Sequence, residues 1–356
     1  TAAAGRRVYL DWNATAPLRP EARDAMLAAM DALGNPSSVH AEGRAARAIL
    51  ERARAQVAAL MGCAPHEILF TSGATEAARV LEAPGAVAVE PTAHDCLWAH
   101  RRGGGEAPAA VHARGRANSE TGVINPLPKR GAEGWILGDG SRARSLLVDA
   151  VQALGRIPHG HDESGADLTI ASAHKIGGPA GVGALAVREG VDIPALSEGG
   201  GQEGRKRAGT ENVIGIAGFG AAAEAARRDL EAGLWAGVER LRKILENTLA
   251  EAAPDLILIG AEADRLPNTS CFAVPGWPGE TQVMQMDLAG FAVSAGSACS
   301  SGKVAESRVL RAMGHDAETA RSAIRVSLGP ATTEAEVRAF ADTWIERYRR
   351  RRARAA

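Results

Sequence analysis

The stretch that decides the fold is Asp167-Leu-Thr-Ile-Ala-Ser-Ala-His-Lys-Ile-Gly-Gly-Pro-Ala-Gly-Val-Gly-Ala-Leu-Ala-Val-Arg188. Asp167–Ser172 is a short apolar, β-branched run and reads as a buried strand. It runs out into Lys175, crosses a glycine-rich turn, and is followed by a second strand-like run, Gly183–Arg188. In parallel α/β sheets ligands sit beyond the carboxyl ends of strands. A lysine there, on a turn that lets a flat ligand come close, suits a Schiff base, because desolvation lowers its pKa. The plain alternative is a solvated lysine after a strand.

Further strands read at Glu67–Thr71, Ala86–Glu90 and Ser145–Asp149. Between them lie Ala-, Arg- and Glu-rich segments with helical spacing, such as Ala41–Met61. This alternation predicts an α/β layer with a mainly parallel sheet. Ile214–Ala253 reads as a long helical stretch broken by Gly233 and Gly237 and ended by Pro254. Beyond it, Leu256–Ile259, Thr269–Val274 and helices near Thr281–Leu288 and Glu334–Arg349 predict a smaller α+β unit. The expected division is a large domain over 12–255 and a small domain over 256–356, joined by the N-terminal arm 1–11.

Composition narrows the function. The 356 residues carry 41 basic and 42 acidic side chains, a net charge of −1. A whole-chain nucleic-acid binder is therefore disfavoured. The Arg349–Arg354 run is a local exception and reads as a solvated helix end suited to the dipole. No apolar run is long enough to cross a bilayer. Thr1–Arg7 does not read as a signal peptide. The four cysteines form no CxxC pair, so no structural zinc site and no metal is expected. A reducing, cytoplasmic setting follows. Aromatics are only 4%, so the core must be built from Ala, Val, Leu and Ile, and 41 glycines imply tight turns and close backbone approach to a ligand.

Asp149 ends the apolar strand Leu146-Leu-Val-Asp149 at the same edge as Lys175. A carboxylate buried there requires a cation, and the protonated pyridine nitrogen of pyridoxal phosphate is one. An N-cap role for the next helix is equally open. Gln152 follows one turn later, in reach of a ring substituent. Thr71-Ser-Gly-Ala-Thr-Glu76 runs from strand into helix and offers N–H groups and hydroxyls to a phosphate, or is an ordinary capped turn. His94 can stack on an aromatic ligand or be structural. Cys96, two residues on, forms no metal site with it for lack of further ligands. Cys299 sits among small polar residues in Ser294–Gly302, a loop that exposes its thiol. Arg325, inside an apolar strand-like segment, needs an anion: a substrate carboxylate or a structural partner.

Together these stretches resemble the cysteine desulfurases of the NifS/IscS type, within the class V, fold-type I pyridoxal-phosphate enzymes. The likeness runs from about Tyr9 to Arg338. Its markers are Tyr9-Leu-Asp-Trp-Asn-Ala-Thr15, Gly34-Asn-Pro-Ser-Ser-Val-His40, Phe70-Thr-Ser-Gly-Ala-Thr-Glu76, Asn118-Ser-Glu-Thr-Gly122, Val148-Asp-Ala-Val-Gln152, Ser172-Ala-His-Lys175, Arg207-Ala-Gly-Thr-Glu-Asn212 and Gly296-Ser-Ala-Cys299. The resemblance implies an α/β fold with a mainly parallel, seven-stranded-type sheet in the large domain and the Cys299 loop in the small one. It implies that Lys175 holds pyridoxal 5′-phosphate and carries a proton, and that His94 stacks on the ring and serves as acid or base. Asp149 pairs with the pyridinium, Gln152 and Ser119 contact the ring oxygen, and Ala74, Thr75, Ser172 and His174 bind the phosphate. Thr210 reaches the phosphate of a neighbouring subunit in a homodimer.

For the substrate, the resemblance implies that Arg325, with Asn13 and Ser119, holds L-cysteine, and that Cys299 takes its sulfur as a persulfide and leaves L-alanine. A sulfur-acceptor protein follows, an iron–sulfur scaffold among the candidates. Two departures stand out: Ser119 replaces a usual Asn, and Gly204-Arg205 inverts a usual Arg-Gly order. Rival readings are a selenocysteine lyase, an aminotransferase, a partner-dependent sulfur-relay protein and a thiol or metal-binding protein.

Overall fold

A computed structural model describes residues 7–103, 108–295 and 306–355. The chain divides into two compact units. The larger holds residues 16–117 and 125–232; the smaller holds 7–15, 118–124 and the described residues from 233 onward.

The larger unit is built on one sheet. Its main path runs Ile68–Thr71, Gly183–Val187, Leu168–Ser172, Arg142–Asp149, Ala109–Gly115, Val87–Val89. Four of these strands pair in parallel, from Leu168–Ser172 to Val87–Val89, whereas Gly183–Val187 is antiparallel to both of its neighbours. A hairpin, Lys129–Gly131 with Gly134–Ile136, joins the Arg142–Asp149 strand and brings the sheet to eight strands. Ala109–Gly115 escaped the sequence reading because Ala-Ala-Val-His-Ala-Arg-Gly carries no apolar run. The strands predicted at Glu67–Thr71, Ala86–Glu90, Asp167–Ser172 and Gly183–Arg188 are present within a residue or two.

Register aligns the chemistry. Thr71 and Ser172 are both paired with Gly183, and Asp149 pairs with both Ile170 and Gly115. Thr71, Asp149 and Ser172 are therefore the carboxyl ends of three co-directional strands on one edge. Gly183 is needed there: a Cβ on it would lie 2.6 Å from Gly73 Cα and 2.7 Å from the Ala171 carbonyl oxygen.

Helices Ala41–Met61 and Val213–Glu231 pack together against this sheet, with Phe70, Val148, Ala173 and Phe219 in the shared core. Small residues make that packing close. A Cβ on Gly220 would lie 2.6 Å from Ala53 Cα. This is how a core poor in aromatics reaches protein density.

In the smaller unit, strands Ile257–Leu258, Thr269–Ala273, Ala323–Ser327 and Ser294–Ala295 form an antiparallel sheet. Phe272, Trp277, Trp344 and Tyr348 pack together in its core: Trp344 and Tyr348 stack with centroids 5.6 Å apart, and Phe272 meets Trp344 edge to face. The long helical stretch is two helices, Val213–Glu231 and Leu234–Ala252, separated at left-handed Gly233. The division of the units falls there, not near residue 255. Leu234–Ala252 buries Trp235, Val238, Leu241, Leu245 and Leu249 and packs on the Glu334–Ala355 helix of its own unit. The smaller unit also takes residues 118–124, where a Cβ on Gly122 would meet Thr269 Cβ at 2.7 Å. Among the described residues no helix is long and apolar enough to cross a membrane.

Candidate active site

At the carboxyl edge of the larger unit's sheet, Asp149 is buried, 8% exposed, and its Oδ1 accepts the Val151 N–H at 2.9 Å. Burial pushes its carboxyl up; His94, the Val151 N–H and Lys175 pull it back down. Lys175 and His94 thus act electrostatically on one buried acid. His94 caps the Asp95–Trp98 helix, its Nδ1 accepting the Cys96 N–H at 3.2 Å. Lys175 closes a 3-10 turn directly after the Leu168–Ser172 strand. The next residues turn back through Gly177, at φ 84°, where a Cβ would lie 2.6 Å from Arg19 Cγ. His174 is half-buried. Burial first, and Lys175 second, push its pKa down to about 4, so it is a neutral imidazole at pH 7.

Ser172 is buried at the strand end. Across the register, Thr71 leads into Gly73, and a Cβ on Gly73 would meet nothing within 4 Å. Ala74 and Thr75 follow on the next helix. That turn is tied down by Glu76, whose carboxylate accepts the Ser72 N–H at 2.5 Å and Arg207 Nε at 3.1 Å. Thr210, on the segment after Arg207, is exposed.

Arg156 is a positioning residue the sequence reading missed. It is buried, 3% exposed, and donates through Nη1 to Gln152 Oε1 and through Nη2 to the Lys175 carbonyl oxygen at 3.1 Å. Holding Oε1 of Gln152 leaves the amide's N–H donors to point elsewhere. The i, i+4 spacing of Gln152 and Arg156 was the available signal.

The smaller unit carries a second constellation. Arg325 is buried on the Ala323–Ser327 strand. Its Nη2 pairs with Asp11 Oδ1 at 2.7 Å and its Nη1 donates to the Ser119 carbonyl oxygen at 2.9 Å. Arg325 Nε is buried and has no hydrogen-bond partner among the described residues. Asn13 Nδ2 donates to the same Ser119 carbonyl at 3.2 Å and to Thr269 Oγ1 at 2.9 Å, and its Oδ1 accepts from Asn268. Ser119 enters this network through its backbone. Asp11 was not singled out from the sequence, although it sits in the Tyr9–Thr15 marker. Cys299 lies outside the described residues.

The class-V aminotransferase family matches this chain over residues 8–90 and 107–340. A cysteine desulfurase of Cereibacter sphaeroides is 40% identical, with 93% of each chain covered. The cysteine desulfurase IscS of Dictyoglomus turgidum is 36% identical over 93% of this chain and 92% of that protein. A solved NifS-like protein superposes with a TM-score of 0.82 at 30% identity, covering 96% of this chain and 98% of the other. The chain belongs to the class-V aminotransferase family, and within it to the cysteine desulfurases. It is a pyridoxal-phosphate-dependent enzyme of fold type I.

The residues present fit that cofactor. A buried carboxylate stands at Asp149 near Lys175 and His94, and a Cβ on Gly73 would meet nothing within 4 Å, which leaves space beside the turn that leads into Ala74 and Thr75.

Proposed function

We propose that this enzyme converts L-cysteine into L-alanine, takes the sulfur as a persulfide on Cys299, and passes it to an acceptor protein. The observation that carries this reading is the buried Asp149, within electrostatic reach of both Lys175 and His94 at the sheet's carboxyl edge. Pyridoxal phosphate, when bound, supplies an electron sink for the substrate's Cα.

The chain's own residues supply the rest. Lys175 Nζ anchors the cofactor and moves the proton at the substrate's Cα. Asp149 holds a positive charge on the pyridine nitrogen, because an unpaired buried carboxylate is costly. His94 would cover the ring, Gln152 and Ser119 would contact its oxygen, and Ala74, Thr75, Ser172 and His174 would take the phosphate. His174 does so as a neutral donor. Arg325 offers Nε to the substrate carboxylate, with Asn13 and Ser119 beside it. The Cys299 thiolate attacks the substrate sulfur; the Cβ–S bond breaks, its electron pair stays on Cβ, and a proton there completes alanine.

The persulfide sulfur then leaves to an acceptor thiol, with iron–sulfur cluster assembly as the destination. The exposed Thr210 fits a homodimer in which it reaches the neighbouring subunit's phosphate.

The test is alanine and sulfide release from L-cysteine with a dithiol reductant present. Wild type should give both in equal amounts. Cys299→Ala should lose sulfide release while keeping the cofactor's visible absorption. Full activity in that variant refutes Cys299 as the sulfur carrier.

A further inference from the structure

The larger unit holds a second cluster, at the amino edge of its sheet, opposite the edge that carries Asp149 and Lys175. Glu67 ends the Pro65–Glu67 turn immediately before the Ile68–Thr71 strand. His161 and Asp162 open the His161–Ser164 turn that precedes the Leu168–Ser172 strand. The two turns are joined through backbone. Asp162 N–H donates to the Gly62 carbonyl oxygen at 3.0 Å. Gly62 is left-handed, at φ 65°, and a Cβ on it would lie 2.9 Å from Gly160 Cα. Two segments about a hundred residues apart in the chain are thereby held in close contact.

One ligand atom from each of Glu67, His161 and Asp162 lies within 4.8 Å of the others. Carboxylates near one another are common and prove nothing. The imidazole is the distinguishing feature. His161 is fully buried. Its Nδ1 pairs with Thr169 Oγ1 at 2.8 Å, whereas Nε2 is buried and has no hydrogen-bond partner among the described residues. An orphaned buried nitrogen bears its desolvation cost; the described residues hold two others on imidazoles, His112 Nδ1 and His159 Nε2, and of the three histidines only His161 belongs to a cluster with two carboxylates. An imidazole with one nitrogen oriented by a hydroxyl and the other bare, beside two carboxylates, is the arrangement of a metal ligand with its supporting partner in place.

The carboxylates are suited to the task. Glu67 is 8% exposed, and its oxygens are pinned by the N–H groups of Ala64 and Glu189, each at 2.9 Å. Each oxygen keeps a lone pair. Asp162 is exposed and gives an entry path from solvent.

Arg188 and Asp167 also act on this cluster. Arg188 reaches Asp162 Oδ1 only at 3.9 Å, its Nε and Nη2 being taken by the carbonyls of Ala166 at 2.8 Å and His161 at 3.0 Å. Its hold on Asp162 is therefore weak. Asp167 is committed elsewhere, accepting Trp135 Nε1 and the Leu146 N–H, both at 2.8 Å.

We propose that Glu67, His161 and Asp162 bind one divalent transition-metal cation of the zinc class, clipping the 62–67 and 160–164 turns together. One imidazole and two carboxylates suit zinc, cobalt or nickel, with water in the remaining positions. Magnesium, which takes oxygen ligands and keeps its water, is disfavoured by the imidazole. Zinc–ligand bonds of about 2.0–2.2 Å require the three atoms to draw together, and the exposed Asp162 side chain is free to supply that movement. The site is structural and separate from the cofactor edge.

The test uses holoenzyme stripped with a chelator and dialysed. It is titrated with ZnCl2 by calorimetry, with MgCl2 as control, alongside thermal unfolding. Wild type should bind one equivalent of zinc and melt at a higher temperature with it, and should ignore magnesium. Asp162→Asn, a surface change that keeps the fold, should weaken that equivalent at least tenfold. His161→Leu should abolish it. Equal zinc affinity in wild type and both variants places the metal elsewhere and overturns the proposal. So does a wild type that takes up no zinc, or one that prefers magnesium.

Discussion

Replacing Arg325 by lysine keeps a positive charge beside Asp11 but removes the planar fork. In the structure the fork is already committed at two points, to Asp11 at 2.7 Å and to the Ser119 carbonyl at 2.9 Å, and holds one buried donor, Nε, in reserve. A lysine ammonium placed against Asp11 leaves nothing in the geometry of Nε. If Nε serves the substrate carboxylate, the variant loses one charge-assisted hydrogen bond, about 1.5–3 kcal/mol. At about 1.4 kcal/mol per tenfold, that is a roughly 10- to 150-fold drop in kcat/KM for L-cysteine.

The loss should appear mainly in KM, since the carboxylate is bound in ground state and transition state alike. Asp11 keeps a cationic partner, so the melting temperature should move little. The assay is initial-rate alanine formation over a range of cysteine concentrations, with the melting curve of each preparation as control. An Arg325→Lys enzyme with unchanged kcat/KM and an unchanged melting curve refutes the reasoning. Arg325 Nε would then serve no substrate carboxylate.

Two predictions concern stability. Glu203, with a side chain 2% exposed, meets Arg54 at 2.7 and 3.0 Å and accepts the Phe70 N–H at 2.8 Å. Glu203→Ala removes the bidentate partner of Arg54, which keeps Glu51 at 3.2 Å and the Ile68 carbonyl at 2.8 Å, and should cost about 1.5–3 kcal/mol in denaturant unfolding, whereas the Arg54→Met/Glu203→Ala pair should cost less; equal losses would show that the charge pairing is irrelevant. His112, 6% exposed, has its pKa pushed down to about 4 by burial, with Arg114 adding to the effect. Between pH 6.5 and 4 the unfolded chain takes up this proton and the folded chain does not. Stability therefore falls as pH falls through that window, by up to about 3 kcal/mol from this one group. Unfolding free energies of wild type and His112→Leu measured at pH 7 and pH 4.5 should differ in slope; parallel slopes would refute the assignment.

The amino acids alone determined most of the larger unit. Runs such as Asp167–Ser172 announce strands because burial on both faces demands continuous apolar residues, and the lysine, aspartate and histidine that follow such runs fall by topology on one edge. The Gly233 break and the amphipathic stripe of Leu234–Ala252 were equally legible, since both are local. What tertiary structure decided was pairing between residues far apart in the chain. The antiparallel place of Gly183–Val187 depends on strand order, which no local pattern encodes. Arg325 looked like a charge in a strand; only folding set it against Asp11 and the Ser119 carbonyl, 314 and 206 residues away. Arg156 gained its meaning from the Lys175 carbonyl, and His161 from Glu67, 94 residues earlier in the chain. Composition and periodicity report which faces are buried. They do not report which buried polar atoms meet, because that is settled by distances the chain acquires only once the sheet has closed its register.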